Sequence, residues 1–371
     1  QWIRPWRSGA LWQLGLEWAA MAAELRQSQS APVLDGSPAA RAIRPVGRHY
    51  DFEVLGTTAA AMAAFDWSWN QRLAWGGQLR LERTQYNYDN RMLSGNTDEF
   101  GTPCGFGGCL YNRPSDRRDA FDNVSARLEW RYEARAGRRA WLSVARAFRP
   151  PEINELYRLQ RGQDVAELRS EHLVGMELGW HRSSPRTSWQ SAVFMQEKRN
   201  VLLRDSNGFN VTAGRTRHAG IEYEWQWRPS AAWVLAGGGT VARHRYAFSR
   251  AIEGGETIVA GRDIDTAPRH LHRLSVQGSL GRNVDGELTV QSVGRYFADA
   301  ANARAYSGHT LVHARVAYRG LDDWQLQLQV HNLFDARYAD RADFAQGDYR
   351  YIPGRGRTWQ LDMAWRRAVR R

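Results

Sequence analysis

Few residues in this 371-residue sequence have the type and spacing that covalent or metal chemistry requires. Cys104 and Cys109 lie close together in a glycine-rich segment, which favours a disulfide that closes a small loop in an oxidising compartment. Two thiols alone make a poor zinc site, so metal binding there is the weaker alternative. His270 and His272 share a predicted strand face and could bind a metal, but no third ligand is near them in sequence. The alternative is that both line a polar lumen.

The motifs of common catalytic sites are absent from the sequence. It contains no Gly-x-Ser-x-Gly elbow, no His-Glu-x-x-His, no phosphate-binding Gly-Lys-Ser/Thr and no Cys-x-x-Cys pair. We therefore predict a protein that is not an enzyme, with no catalytic residue, no metal ligand set and no cofactor.

The net charge of +12 and the pI near 10.1 raise the question of nucleic-acid binding. The basic residues are spread along the whole chain, whereas a nucleic-acid site gathers them on one helix or stripe. We therefore expect no nucleic-acid partner and interpret the arginines as residues of a polar lumen, of turns and of lipid headgroup contacts.

Apolar and polar residues alternate with a period of two through most of the chain, which is the pattern of β-strands. Near the C-terminus Trp324, Leu326, Leu328 and Val330 alternate with polar residues. No stretch approaches the roughly 20 apolar residues of a membrane-spanning helix. Trp and Tyr often lie toward the ends of the apolar faces, as in the aromatic girdles of membrane barrels. A soluble β-sandwich with the same alternation is the alternative.

The connections between the predicted strands are alternately short and long, as in membrane barrels with short periplasmic turns and long external loops. We therefore predict an all-β, transmembrane, antiparallel up-and-down β-barrel. Fourteen strands are predicted, at 10–24, 48–69, 72–86, 121–134, 138–148, 169–182, 187–203, 215–228, 231–247, 269–281, 285–298, 307–319, 323–337 and 357–367.

Three segments resemble motifs of the TonB-dependent outer-membrane receptors. The first runs from the end of a strand through prolines into an Asn-Glu-Leu-Tyr sequence. The second begins a strand with Gly, an aliphatic residue and Glu, and the third is similar to the Asn-Leu-Phe-Asp signature of the penultimate strand. The matching residues are Arg149, Pro150, Asn154, Glu155, Tyr157, Gly220, Glu222, Asn332, Leu333, Phe334 and Asp335. Asn332 and Asp335 are expected to organise the end of a strand, and Gly220 to allow a close approach or a bulge.

The resemblance implies a barrel of about 22 strands with a plugged lumen. Residues 1–371 would then be its C-terminal portion, with the plug domain and the signal peptide absent from this sequence. The resemblance also implies the cell outer membrane of a Gram-negative bacterium, contact with outer-membrane lipid and lipopolysaccharide, and the TonB energy-transducing complex as a partner through the plug region. The imported solute would be a scarce nutrient, with a ferric siderophore as the first candidate.

Within this resemblance, ligand capture is assigned to external loops in which Tyr and Arg are mixed, because aromatic and anionic chelates suit both side chains. The alternative for these residues is that they are solvated or contact lipopolysaccharide. Two other functions stay open, a passive porin-like channel and an outer-membrane enzyme. The candidate ligand-binding residues are Tyr157, Arg158, Arg161, Arg341, Arg350 and Tyr351.

Overall fold

The computed structural model describes residues 2–5, 10–105, 107–135, 137–162, 168–204, 210–251, 257–321, 323–345 and 347–365. Fifteen strands form one large sheet, and each pairs antiparallel with the strands before and after it in that sheet. The predicted all-β, up-and-down antiparallel architecture is therefore confirmed.

The elements are, in chain order, β1 (Trp2–Pro5), β2 (Ala10–Gln29), α1 (Pro38–Ala42), β3 (Gly47–Ser68), β4 (Leu73–Asn90), β5 (Tyr111–Asn112), β6 (Arg117–Arg135), β7 (Arg138–Arg149), α2 (Ile153–Tyr157), β8 (Leu159–Gln160), β9 (Glu171–Ser183), β10 (Thr187–Arg204), β11 (Asn210–Ser230), β12 (Trp233–Tyr246), β13 (Arg250–Ala251), β14 (Thr257–Ile258), β15 (His270–Gly281), β16 (Val284–Val293), β17 (Tyr296–Phe297), β18 (Ala305–Tyr306), β19 (His309–Leu321), β20 (Trp324–His331), β21 (Ala339–Ala345), β22 (Asp348–Pro353) and β23 (Thr358–Trp365). The large sheet omits the short pairs β5–β8, β13–β14, β17–β18 and β21–β22. Neither helix of the described chain has the length needed to cross a membrane.

The large sheet has one apolar and one polar face. The apolar face carries side chains that are largely exposed, such as Leu16 at 88%, Met195 at 59% and Leu361 at 64%. The polar face carries ion pairs between strands, as between Arg315 and Glu287 at 2.6 Å. An apolar face this large and this exposed requires lipid around it, so the polar face is the lumen side of a barrel wall.

The two ends of the sheet differ in their connections. Short turns lie at one end, here called the turn end. There the side-chain oxygen of Asn70 accepts hydrogen bonds from the backbone N–H groups of Arg72 and Leu73, at 2.8 and 2.9 Å. Gly137 has a φ of 75°, and a Cβ there would lie 2.3 Å from the Ser183 carbonyl oxygen. The long connections, with both helices and the short strand pairs, lie at the opposite end, here called the loop end.

Each of the fourteen predicted strands has its counterpart in the large sheet, but two of them end well before the predicted residue. The strand predicted at 323–337 ends at His331, because Asn332 and Asp335 have φ values of 51° and 52°. The Asn332 side chain exchanges hydrogen bonds with the backbone of Ala336, both at 2.9 Å. The strand predicted at 285–298 ends at Val293, after which the chain enters a separate short pair.

Candidate functional site

Three long connections at the loop end pack together as loop group one, which comprises the described parts of 30–46, 91–116 and 150–170. Strand β5 of the second connection pairs with β8 of the third. The N–H of Leu110 donates to the Ile43 carbonyl at 2.8 Å and so joins the first connection to the second. The three connections therefore form one body.

Helix α2 fastens loop group one to the lumen face of the sheet. Leu156 and Tyr157 are buried against a cluster of large side chains from β3 and β4. The rings of Tyr88 and Tyr157 stack with their centroids 4.3 Å apart. The helix begins with a capping box in which Glu152 and Glu155 each bond the other residue's backbone. The sheet residues of the cluster are Tyr50, Phe52, Val54 and Tyr88.

Tyr157 occupies the centre of this packing. Its hydroxyl donates a hydrogen bond to Asp119 Oδ2 at 2.7 Å, and Asp119 also binds the Arg117 guanidinium. Burial, and then the hydrogen bond to Asp119, raise the pKa of the Tyr157 phenol far above its ordinary value, so the phenol stays protonated and donates. In this arrangement Tyr157 is an anchor of the loop, with neither ring nor hydroxyl exposed to a ligand.

The first family motif accounts for the position of α2. Arg149, at the end of β7, donates to Glu155 at 3.0 Å and to Glu171 at 2.9 Å. The guanidinium thereby links the first turn of the helix to the start of β9. Asn154 lies within the helix, and its carbonyl accepts the N–H of Arg158 at 3.3 Å. Pro150 lies between strand and helix, where a residue without an N–H donor ends the strand.

The two arginines predicted for ligand binding next to Tyr157 differ in their surroundings. Arg158 is exposed, and its guanidinium donates to Gln27 Oε1 on β2 at 2.8 Å. Arg161 is half-buried, and its backbone N–H donates to the Leu110 carbonyl at 2.6 Å. Arg158 is thus the more accessible of the two to a solute above the sheet.

A buried arginine that the sequence did not single out holds the second connection of loop group one together. The Arg113 guanidinium donates to the carbonyl oxygens of Leu93 at 2.7 Å, His49 at 3.2 Å, Thr97 at 2.9 Å and Asp98 at 3.2 Å. Arg113 is 2% exposed, and burial lowers the pKa of its guanidinium. Four carbonyl oxygens accept from this one guanidinium and thereby fix the loop. Among the described residues no carboxylate pairs with Arg113.

Cys104 and Cys109 lie in the same connection, and their sulfurs are bonded in a disulfide. The Cys109 N–H donates to the Asn96 carbonyl at 2.7 Å. The disulfide therefore lies at the loop end of the sheet, as the predicted external position of this connection requires.

The remaining long connections with internal strand pairs pack as loop group two, which comprises the described parts of 247–269, 294–308 and 332–357. Asn302 binds the backbone of Asp263 in both directions, at 2.8 Å each. The N–H of Ala342 donates to the Tyr296 hydroxyl at 2.8 Å, and the N–H of Phe344 donates to the Ala298 carbonyl at 2.9 Å. Neighbouring loops again form one body.

The hairpin β21–β22 carries three of the predicted ligand-binding residues. Asp343 forms ion pairs with Arg341 at 3.2 Å and with Arg350 at 2.7 Å, and both arginine side chains stay more than half exposed. The rings of Tyr349 and Tyr351 stack with an interplanar angle of 10°, and Tyr351 is 56% exposed. The hairpin thus presents aromatic and cationic groups side by side in solvent.

The six predicted ligand-binding residues therefore fall into two sets of three, one in each loop group. Among the described residues, no hydrogen bond or ion pair joins loop group one to loop group two. Of the other motif residues, Gly220 lies within β11 and not at its start, where the motif had placed it. It allows a close approach there, since a Cβ would lie 2.6 Å from the Ala242 Cβ. Glu222 lines the lumen side beside Glu224. Leu333 donates its N–H to the Val312 carbonyl at 2.7 Å, and Phe334 is 73% exposed.

The histidine pair lies on the other face from the one expected. The rings of His270 and His272 stack at 5.1 Å, but they lie on the apolar face, where His272 Nδ1 is 3.0 Å from the Tyr223 hydroxyl. The lumen interpretation was wrong because Arg273 and Ser275, not the histidines, take the lumen positions of β15. Within the described chain no three His, Cys, Asp or Glu side chains are grouped to hold a metal ion.

A second histidine pair lies on the lumen side and was not noticed in the sequence. His218 and His244 occupy opposite positions on β11 and β12, with their Nδ1 atoms 2.8 Å apart. The Thr216 hydroxyl lies 2.8 Å from His218 Nε2. The two histidines are far apart in sequence, so only the strand register brings them together.

A single antiparallel transmembrane sheet with short turns at one end and packed long loops at the other defines a membrane β-barrel protein. The family model described as "TonB dependent receptor-like, beta-barrel" matches residues 4–333. The chain therefore belongs to the TonB-dependent receptor family. Receptor barrels of this family are outer-membrane proteins.

The curated relatives are receptors of low sequence identity. The pesticin receptor of Yersinia pestis is 23% identical over 318 residues, which cover 83% of this chain and 42% of that protein. The catecholate siderophore receptor Fiu of Escherichia coli (strain K12) is 22% identical over 301 residues, 77% of this chain and 38% of that protein. The chain thus spans about two fifths of the length of these relatives.

Solved structures share the fold over nearly the whole chain. The ferric-catecholate import receptor Fiu from E. coli K12, in its closed form, matches with a TM-score of 0.73 and 17% identity over 97% of this chain and 52% of that one. The ferric yersiniabactin uptake receptor FyuA from Y. pestis matches with a TM-score of 0.66 and 19% identity, over 98% and 56% of the two chains.

Proposed function

We propose that this chain forms barrel wall and external loops of an outer-membrane receptor that imports a ferric siderophore with energy supplied through TonB. The observation that carries the proposal is the pair of packed loop groups on a sheet of the TonB-dependent receptor family. A passive channel needs an open mouth, whereas packed loops with aromatic and cationic groups are suited to capture a solute before it passes.

The chemistry of the loop end supports an anionic, aromatic ligand. Arg158, Arg341 and Arg350 have exposed guanidiniums, which bind carboxylate or catecholate oxygens through charge-assisted hydrogen bonds. Tyr351 adds an exposed ring for stacking. Among the similar proteins, one is a catecholate siderophore receptor and another is a ferric yersiniabactin uptake receptor, which supports an iron chelate as the solute.

The test is growth at limiting iron of a host that lacks its own receptors and carries the full gene. The host receives ferric catecholate, hydroxamate and phenolate siderophores one at a time, with and without TonB. TonB-dependent growth on one class of chelate supports the proposal. Growth that persists without TonB favours a passive channel, and no rescue by any iron chelate contradicts siderophore import.

Single substitutions locate the capture surface in the same assay. Arg350→Gln and Tyr351→Ala should each raise the chelate concentration that supports half-maximal growth, by roughly tenfold for the loss of one charged or stacking contact. The matched control is Arg83→Gln. It removes an exposed arginine that lies on the apolar face of the large sheet and pairs there with Asp122. Equal effects of all three substitutions would contradict a capture role for the hairpin.

A further inference from the structure

The histidine pair on the lumen side, His218 and His244, has no part in the siderophore uptake proposed above. The two residues occupy opposite positions on β11 and β12, and their Nδ1 atoms are 2.8 Å apart. His244 lies two positions before Tyr246, the last residue of β12, so the pair is near the loop end. Both rings are half-buried and stay accessible from the lumen. They are called the imidazole pair below.

The short distance between the Nδ1 atoms means that the two rings share one proton. A neutral imidazole has one N–H group and one nitrogen with a free lone pair, so one Nδ1 donates and the other accepts. A divalent metal ion replaces the shared proton when that proton moves to Nε2 of the donating ring, and both rings then stay neutral. Neutral imidazole is the form of histidine that binds metal ions.

The separation of the two nitrogens selects a coordination geometry. Two nitrogens at about 2.0 to 2.1 Å from one ion are about 2.9 Å apart at a right angle and about 3.3 Å apart at the tetrahedral angle. The observed 2.8 Å fits the right angle. Square-planar and tetragonal sites with nitrogen and oxygen ligands are typical of Cu²⁺ and Ni²⁺, whereas Zn²⁺ prefers a tetrahedral site.

The neighbours of the imidazole pair hold both rings in position. Thr216 Oγ1 lies 2.8 Å from His218 Nε2 and accepts its N–H when Nδ1 binds a metal. Such a hydrogen bond on the second ring nitrogen fixes the tautomer and the orientation of a ligating histidine. The Ile264 N–H donates to the His244 carbonyl at 2.8 Å. One histidine is thus positioned by its own strand, and the other is joined to loop group two.

Further ligands come from the space around the pair. In the part of the chain that the structure describes, no third His, Cys, Asp or Glu completes a metal-binding group. Gln196 of β10 lies opposite His218, which makes its amide oxygen a candidate for a third ligand. The next lumen positions on β11 and β12 are Gly220 and Ala242, whose small size leaves room for water ligands. Such a site is open and exchanges its ion with solvent.

The lumen wall beyond these small residues carries an excess of negative charge. A cavity of about 690 Å³ is lined there by Glu177, Glu222 and Glu224. Arg273 is the only cation among the described residues that line this cavity. Lys198 lies on the loop-end side of the pair and opposes the attraction in part. The acidic wall raises the concentration of cations beside the imidazole pair.

We propose that His218 and His244 bind a divalent transition-metal ion of right-angled coordination, such as Cu²⁺, on the lumen wall near the loop end. The site takes the metal ion itself and does not need a chelator around it. The expectation of no metal ligand set is thereby replaced, because strand register alone joins two histidines that are 26 positions apart. The site is independent of the proposed siderophore uptake, since neither histidine belongs to the hairpin β21–β22 or to loop group one.

The experiment titrates the full gene product, in detergent and stripped of metal, with Cu²⁺. Electron paramagnetic resonance counts the equatorial nitrogens of the bound ion. The variant H218Q/H244Q is compared with the matched control H270Q/H272Q, which removes the other stacked histidine pair, on the apolar face. The mobility of unheated protein in gel electrophoresis gives the folded fraction of each variant.

We expect the wild type to give a tetragonal Cu²⁺ spectrum with two equatorial imidazole nitrogens, and H270Q/H272Q to give the same spectrum. The affinity of H218Q/H244Q for Cu²⁺ should fall at least roughly tenfold, because the loss of a group that only supports a metal ligand already costs about 10- to 100-fold. Unchanged affinity in H218Q/H244Q, or an equal loss in both variants, would overturn the proposal.

A footprint of the wild type decides the matter even if H218Q/H244Q does not fold. Diethyl pyrocarbonate modifies accessible imidazoles, and mass spectrometry reads the modification of each histidine. Bound Cu²⁺ should protect His218 and His244 and leave the exposed His331 unchanged. No protection of the pair, or equal protection of His331, would overturn the proposal. Neither measurement uses a siderophore, so its result is separate from that of the growth assay.

Discussion

A tyrosine next to arginines in an external loop has two possible roles, to contact the ligand or to hold the loop. The sequence could not separate them, because the partners of Tyr157 come from strands far away in the chain. The structure buries Tyr157 completely, stacks it on Tyr88 and bonds its hydroxyl to Asp119. The exposed candidates for ligand contact are instead Arg158 and the hairpin residues Arg341, Arg350 and Tyr351.

We predict that Tyr157→Phe leaves the proposed siderophore uptake within about twofold of wild type. The phenyl ring keeps the stacking, and Asp119 keeps its bond to Arg117, so the loss is about 1 kcal/mol of loop stability. Tyr157→Ala empties the packing site and should cost about 3 to 5 kcal/mol. Limited proteolysis in the segment 150–162 measures the loosening. A strong uptake defect in Tyr157→Phe with unchanged proteolysis would show that the hydroxyl contacts the ligand.

At the scale of elements, alternation was sufficient to predict the main strands, because each residue in a barrel wall faces lipid or lumen. The pairs of two-residue strands were not predicted: β5 and β8 pair across two different connections, and a strand of two residues carries no alternation signal. The packing of α2 on the lumen face was missed for the same reason, since Leu156 meets residues of β3 and β4. Asn332 was predicted in its role at a strand end because its hydrogen bonds to Ala336 are local.

The two faces of β20 give a direct test of the barrel wall. Leu328 lies in the middle of the strand on the apolar face and is 41% exposed. Leu328→Arg should cost on the order of 2 to 4 kcal/mol in lipid. Gln327→Arg should be nearly silent, because the lumen neighbour Asp362, 3.3 Å from Gln327, can pair with the new charge. Assembly yield in outer membranes measures both, and equal yields would refute the assignment of the faces.

We expect the disulfide between Cys104 and Cys109 to be present in the mature protein. Mass spectrometry without reduction should show one peptide in which Cys104 is linked to Cys109. Reduction should release about 2 kcal/mol of loop constraint, the entropic value for so short a ring, and speed proteolysis within 91–116. A protein with both thiols free after extraction from the membrane would count against the external position of this loop.

For the whole molecule, the decisive feature is the edge of the large sheet. Strand β1 covers only Leu11 to Leu14 of β2, so the described part of the chain leaves the rest of that strand, from Gly15 to Gln29, with a partner on one side only. In hydrocarbon each unpaired backbone group costs several kcal/mol, and a spanning strand of about 9 to 11 residues is needed to cover such an edge. In the membrane this edge therefore requires another strand beside it.

We expect the 371 residues, when refolded alone in detergent, to give no protease-resistant monomer with heat-dependent gel mobility. Pairing of β1 with β23 would not help, because a four-residue strand leaves most of β2 bare. Association of two chains through β2 edges, or aggregation, should result instead, as light scattering would show. The full gene product under the same conditions is the control and should give a resistant monomer. A stable monomer from the 371 residues, with TonB-dependent uptake in cells, would mean that the chain covers its own edge.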